Sequence, residues 1–444
     1  MRTSAVLLAA LLALTVVRPI DGKGLQFSLN QSRLANGLSL IVVENHQAPV
    51  VSVALAYGVG SADEILGQTG LAHLFEHLMF RGTGEIPPGQ YAKEIQAVGG
   101  TFNAATGRER TRFYATVPAP ALSMVLKLEA DRMASLAIAP NELANEQKVI
   151  VEEWQLFHQN RPYGIAEDDV DELALGTFEY RHPIIGYMQD LQAITPEQAA
   201  AFYRSYYQPA NAAIAIVGDV ETTEAQRLTK SYFARLRSSA PRVRVSSPAK
   251  VTRGRRQTVT DARARASRLY VTFVAPAGDS RDAAALRLFD SAWAQGEAAP
   301  LTRALIDESH VASSVFTALE LRKNESAYYV VATVASGKTL QDCEAVFMDA
   351  VMRVKTHGVT ADEIRRGRYR IQAEQNIMVE RSSALANRLA DAAVMYGDAE
   401  EVNTEIQHID GLDTNELLRV ANTVLITERA TITHVVPKAD MSQP

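Results

Sequence analysis

The chain writes one local pattern twice. Val51 to Tyr57 reads as a strand, Gly58, Gly60 and Asp63 turn the chain, and a helical run follows from Leu71. Arg268 to Ala275 reads as a second strand, followed by Gly278, Asp279 and Ser280 and then a helix from Ala283 to Trp293. A strand–turn–helix unit in both halves points to an internally duplicated fold. At 444 residues the chain exceeds one average domain, and two of roughly 200 residues are expected. Between them, Arg242, Arg244, Lys250, Arg253, Arg255 and Arg256 mingle with Pro241, Pro248, Gly254 and several serines. That stretch reads as a linker over 238–267, not as a binding patch. It separates an N-terminal domain, 24–237, from a C-terminal one, 268–444. Helices are expected at Thr195–Tyr207, Glu221–Leu236, Thr339–Lys355 and Thr360–Val379, and strands alternating with them leave α+β and α/β both open.

Only the first copy of the unit carries metal-binding residues. Its helix contains His73-Leu74-Phe75-Glu76-His77, whereas the matching stretch Leu286-Arg287-Leu288-Phe289-Asp290 has no histidine. On a helix, residues four apart stand one above the other, so His73 and His77 can chelate one ion. Glu76 lies close enough to the same face to hold a water. The spacing H-x-x-E-H is the inverted zincin signature. Catalytic zinc takes three protein ligands, so a third is needed. The candidate is Glu153, 76 positions beyond His77 in a stretch from Asn141 to Phe157 that has good helix formers and follows Pro140. Glu146 and Glu153 are two helical turns apart and share a face. One can ligate while the other orients a ligand from behind; Glu152 competes by adjacency but points away from Glu146.

Composition sets outer limits. With 47% hydrophobic and 22% charged residues and a net charge of −6, the chain is an ordinary globule without an electrostatic footprint for nucleic acid. Residues 1–23 read as a signal peptide with no clean cleavage site. Arg2 is followed by thirteen residues, Ala5 to Val17, apolar except for Thr15. That run is too short for a stable membrane span. The single cysteine, Cys343, excludes an intrachain disulfide, which is compatible with export to a bacterial periplasm.

With H-x-x-E-H at 73–77 and glutamates at 146 and 153, the chain resembles the pitrilysin-type metallopeptidases, family M16, in its smaller two-domain subfamily. Gly99-Gly100-Thr101-Phe102-Asn103-Ala104 with Thr106, Glu109, Thr111 and Tyr114 resembles the family's segment after the zinc helix. His182-Pro183-Ile184-Ile185-Gly186 and Tyr206-Tyr207-Gln208-Pro209-Ala210-Asn211 with Val217-Gly218-Asp219 resemble its later blocks. The resemblance implies an α+β fold: two homologous domains, each a mostly antiparallel sheet packed with helices, forming a clamshell. It implies one zinc ion per chain on His73, His77 and Glu153, with Glu76 as general base and Glu146 as a supporting carboxylate. It also implies peptide binding along Phe102, Asn103 and Ala104, by strand addition to an exposed edge. The implied activity is zinc-dependent endopeptidase action on peptides or small unfolded proteins. The alternative is a non-catalytic scaffold or peptide-binding subunit of the same fold.

One departure stands out. Many members carry an Arg and a Tyr seven positions apart in the second domain, where this chain has Ile306 and Ser313, with Arg303 and His310 shifted by about one turn. The expected partner is therefore a homologous subunit that lacks H-x-x-E-H and supplies the Arg/Tyr pair, with a homodimer as the alternative.

Overall fold

A computed structural model describes residues 25–239, 254–324 and 326–438. The signal peptide and most of the basic run, from Arg242 to Arg253, lie outside the described residues. The fold is α+β, with two sheets. The first is ordered β1 (Asn30–Arg33), β2 (Ser39–Glu44), β6 (Ala212–Gly218), β3 (Val50–Tyr57), β5 (Thr111–Pro118), β4 (Thr101–Thr106). The second is ordered β7 (Arg256–Asp261), β11 (Thr431–Pro437), β8 (Arg268–Ala275), β10 (Ser326–Val334), β9 (Ala312–Glu320). Leaving aside β1, both sheets run first, fifth, second, fourth, third in chain order. In both, only the first and fifth strands are parallel. The repeat legible in two strand–turn–helix units thus extends to the whole topology. Strand β7 lies inside the segment read as linker: Gln257 and Val259 are half-buried between exposed neighbours, and the strand pairs with β11 near the far end of the chain.

The two faces of the first sheet carry side chains of different size. Along β3, Val51, Val53, Leu55 and Tyr57 face the main core, while Ala54 and Ala56 face the other way; along β6, Ile214 and Ile216 oppose Ala213, Ala215 and Val217. Period-two alternation produces this division. The small face admits a helix at close range. The helix Ser382–Tyr396, from the second half, lays Leu385, Ala386, Leu389 and Ala390 on it. The second half receives a helix in return. Gly164–Ala174 of the first half, with Tyr163, packs Ala166 and Val170 against Tyr270, Val331 and Val435 of the second sheet. The halves are thus interlocked, a connection that the division at 237 and 268 does not contain. The β4–β5 and β9–β10 turns also meet, through Arg108 to Glu320 at 3.2 Å and Lys323 N–H to Glu109 at 2.8 Å.

Charge pins the second half's helices. Glu405, on the helix Glu401–Asp410, meets Arg287 at 2.9 Å and also pairs with Arg388. Burial alone would raise its carboxyl, but the two guanidinium groups outweigh burial and hold it at about 2. A depressed carboxyl adds stability that is present above its unfolded pKa near 4.5 and is lost as pH falls toward 2. Glu405→Gln is therefore expected to cost roughly 3 kcal/mol at neutral pH. Urea unfolding at pH 7 and pH 3 should show the gap between variant and wild type narrowing in acid; an equal gap at both would refute the pairing. Among the described residues no helix is long and apolar enough to cross a membrane.

Candidate metal centre

The motif helix α1 (Leu71–Leu78) buries Leu71, Leu74, Phe75 and Leu78 on one side, leaving His73, Glu76 and His77 on the other. No side chain of its N-cap, Gly70, serves its first amides. A buried carboxylate from upstream does: Glu64 accepts from Gly70 N–H at 2.8 Å and Ala72 N–H at 2.7 Å. His182 Nε2 stands 3.1 Å from the same carboxylate. Gly70 has φ +92°, and a Cβ there would lie 2.8 Å from the Ile185 carbonyl, so the His182–Gly186 block can close on the helix start only over a glycine.

The second element begins with Pro140 at its first position, where the missing N–H costs nothing. This helix, Pro140–Trp154, buries Leu143, Glu146 and Ile150 and packs beside α1. Glu146 forms an ion pair with Arg81, whose Nε lies 2.6 Å away, and a hydrogen bond with His77 Nδ1 at 3.1 Å. Burial works against its charge, but His77 and Arg81 outweigh burial and hold the carboxyl below its ordinary value. As a carboxylate it can only accept, so His77 donates through Nδ1–H and turns Nε2 toward the cluster; burial opposes its charge, but Glu146 and Glu153 outweigh burial and raise the imidazole to about 9, so a metal ion there would displace the Nε2 proton. That Nε2 lies 3.5 Å from Glu153 Oε2, and His73 Nε2 lies 3.8 Å from the same oxygen. The three donor atoms are all within 4.8 Å of one another, the one such cluster among the described residues. Two ligands each about 2.0–2.1 Å from a tetrahedral ion are about 3.4 Å apart, so the spacing and the two-nitrogen, one-oxygen donor set fit zinc. His73 Nδ1 is buried without a hydrogen-bond partner among the described residues. Burial, together with the charge of His77, lowers the His73 pKa and favours its neutral, ligating form. Glu152 is exposed and outside the cluster.

Glu76 accepts a 2.6 Å hydrogen bond from the Thr106 hydroxyl at the end of β4. Burial raises its pKa above the usual carboxylate value, with Thr106 and His77 opposing. Strand β4 is the last in its sheet and pairs only with β5 among the described residues, so its outer edge offers main-chain groups. The side chains of the segment expected to bind peptide divide. Phe102 packs its ring on Phe80 at 5.3 Å and Tyr91 at 5.4 Å, Ala104 is buried with it, and only Asn103 points outward.

Spacing identified His73, Glu76, His77, Glu146 and Glu153 as candidates, and the fold brings all five together. Sequence reading missed Arg81, which a helical four-residue step from His77 could have suggested, and Glu64, for which no local signal exists. In the second half, Asp290 takes hydrogen bonds from Tyr328 and Gln295 in the place of a metal motif. Arg303 and His310 are both exposed, at either end of the wide turn Arg303–Glu308 and the segment after it.

Two family models match the sequence: the insulinase family, peptidase family M16, over residues 40–186, and the peptidase M16 inactive domain over residues 193–370. A zinc protease of Helicobacter pylori, PqqE, is 27% identical over 394 residues, 88% of each chain. The crystal structure of a protease from Helicobacter pylori superposes with a TM-score of 0.88 at 26% identity, covering 93% of this chain and 100% of that one. The fold also matches the periplasmic protease PqqL from Escherichia coli, with a TM-score of 0.74 at 20% identity, over 94% of this chain but 48% of that one.

Proposed function

The chain belongs to peptidase family M16, and we propose that it is a zinc-dependent endopeptidase acting on peptides or small unfolded proteins. The observation that carries this reading is the convergence of His73 Nε2, His77 Nε2 and Glu153 Oε2 beside the Glu76 carboxylate. One zinc ion per chain, held by those three atoms, would supply Lewis acidity toward a peptide carbonyl and lower the pKa of water to about 7.

The chain's own groups do the rest. A peptide strand laid along the open edge of β4 gains main-chain hydrogen bonds, and Asn103, whose Oδ1 accepts from Ala104 N–H at 2.9 Å, is the side chain of that segment that faces outward to meet it. Glu76 takes a proton from the attacking water and delivers it to the departing amine nitrogen. Its raised pKa brings that exchange closer to neutral pH, and the Thr106 hydroxyl fixes which carboxylate oxygen is engaged. Glu146 keeps His77 in the tautomer that offers Nε2, and Arg81 holds Glu146.

The N-terminal apolar run supports export to the periplasm. A homologous partner supplying an Arg/Tyr pair is supported by Ile306 and Ser313, which cannot replace those side chains, and by a related fold that is about twice as long. A scaffold or peptide-binding subunit is the rival, and intact donors beside an intact base speak against it. The test is a peptide-library digest by the purified chain, alone and with co-expressed homologous neighbours, before and after chelation. Cleavage that stops on chelation and returns with zinc is expected; cleavage indifferent to metal would refute the proposal.

A further inference from the structure

The turn between β4 and β5 touches more of the site than Thr106 alone. Its main chain lies against the segment that leads into the metal helix. Ser61 N–H donates to the Gly107 carbonyl at 3.2 Å, and Ala62 N–H to the Arg108 carbonyl at 2.7 Å. The approach is so close that a Cβ on Gly60 would sit 2.3 Å from the Gly107 oxygen. Two residues past Ala62 stands Glu64, whose carboxylate takes the Gly70 and Ala72 amides at the start of α1. The Arg108 side chain reaches the other partner of that carboxylate. Its Nη1 donates to the His182 carbonyl at 2.8 Å, and His182 Nε2 lies 3.1 Å from Glu64. His182 is fully buried, and its Nδ1 donates to the Phe178 carbonyl at 2.8 Å, so the ring cannot turn without losing a bond. Arg108 holds both sides of the contact that caps α1, one with its main chain and one with its guanidinium.

The rest of that guanidinium is tied to the second half. Nη2 pairs with Asp171, whose other oxygen accepts from the Tyr329 hydroxyl on β10 at 2.8 Å. Nε pairs with Glu320 on β9 at 3.2 Å. Arg108 is 5% exposed, and three acceptors around one planar fork fix its orientation. We propose that Arg108 is a positioning residue: it transmits the docking of the second half to the first turn of α1 and so sets where His73 stands. His73 follows Ala72 directly, so a shift of the capped amides carries the ligand with it. The second half, which supplies no donor to the cluster, thereby takes part in shaping it. The inference rests on the proposed metal and peptidase reading, and no chemical step passes through Arg108.

The test uses the full chain: wild type, Arg108→Met, Glu320→Gln, the two combined, and Asn403→Ala. Gln at 320 keeps an oxygen for Arg322, the other partner of Glu320 at 2.6 Å. Asn403 joins the halves elsewhere, through the Phe27 N–H and carbonyl at 2.8 and 2.9 Å, and reports what loosening them does by itself. Zinc affinity is read by equilibrium dialysis, kcat and KM on a quenched peptide at saturating zinc, and amide exchange over residues 64–78 by mass spectrometry. Arg108→Met should weaken zinc about 10-fold and speed exchange at the start of α1. Its kcat should fall about 10-fold with KM within about twofold, because the edge of β4 is untouched. Glu320→Gln should weaken zinc about two- to threefold, the worth of a partly exposed ion pair. The combined variant should be no worse than Arg108→Met, because both act along one path. Asn403→Ala should keep wild-type zinc affinity and wild-type exchange over 64–78 even where its unfolding midpoint falls. Unchanged zinc affinity in Arg108→Met, additive losses in the combined variant, or an equal loss in Asn403→Ala each overturn the assignment. Should Arg108→Met fail to fold, Glu320→Gln set against Asn403→Ala decides. If wild type holds zinc but cleaves nothing, the peptidase reading fails, and zinc affinity and exchange still decide on Arg108.

Discussion

Replacing Glu76 by Gln should lower kcat for peptide cleavage by about 10²–10⁴-fold while leaving zinc content at one per chain. The substitution keeps the size of the side chain and its hydrogen bond from Thr106, so the 2.6 Å contact that positions it survives in altered form. It removes the ability to accept a proton from the attacking water. KM should change little, because β4 and Asn103 are untouched, and the unfolding midpoint should stay within a degree or two. Single-turnover cleavage and metal analysis on the same preparation separate the effects. Activity within tenfold of wild type would remove Glu76 from the mechanism, and loss of zinc would make it a ligand.

The opposite pattern is expected at the donors. His73→Ala and Glu153→Ala should each lose the metal and, with it, all measurable turnover. Neither site has a spare ligand: the 3.5 Å and 3.8 Å spacings both end on the same Glu153 oxygen, and Glu152 points into solvent. Glu146→Gln should be milder. It leaves three donors in place but weakens the hold on His77, which is expected to cost about 10–100-fold in zinc affinity. Equilibrium dialysis against a zinc buffer ranks the three. If Glu146→Gln loses metal as completely as His73→Ala, the glutamate is a ligand and the assignment of roles is wrong.

The cluster proposed to hold a metal was legible because each of its parts obeys a local period. His73 and His77 share a helix face at a spacing of four, and Glu146 and Glu153 do so at seven. Helix starts were legible for a similar reason: Thr195, Thr339 and Thr360 each cap the next helix with a reciprocal bond to the third residue on. What escaped depends on distant partners. Strand β7 reads as basic linker until β11 lies beside it, and β1, with four exposed polar residues, carries no strand signal of its own. The alanine rows on β3 and β6 do not announce that the helix Ser382–Tyr396, far along the chain, will cover them. Helical propensity carried the glutamate helix on to Phe157, but the α-helix ends at Trp154 and the wider turn follows. No Gly or Pro marks that change, and Asp168 and Gly164 hold it from the next helix. Strand alternation could have shown that Phe102 and Ala104 face the core while Asn103 faces out, because the period of two requires it.

One catalytic zinc on His73, His77 and Glu153 should be visible by anomalous diffraction from crystals of the zinc-loaded chain, collected on either side of the zinc absorption edge. The predicted result is a single peak about 2.0–2.2 Å from His73 Nε2, His77 Nε2 and a Glu153 carboxylate oxygen. A peak elsewhere, or none at this cluster in a preparation that cleaves peptides, would contradict it.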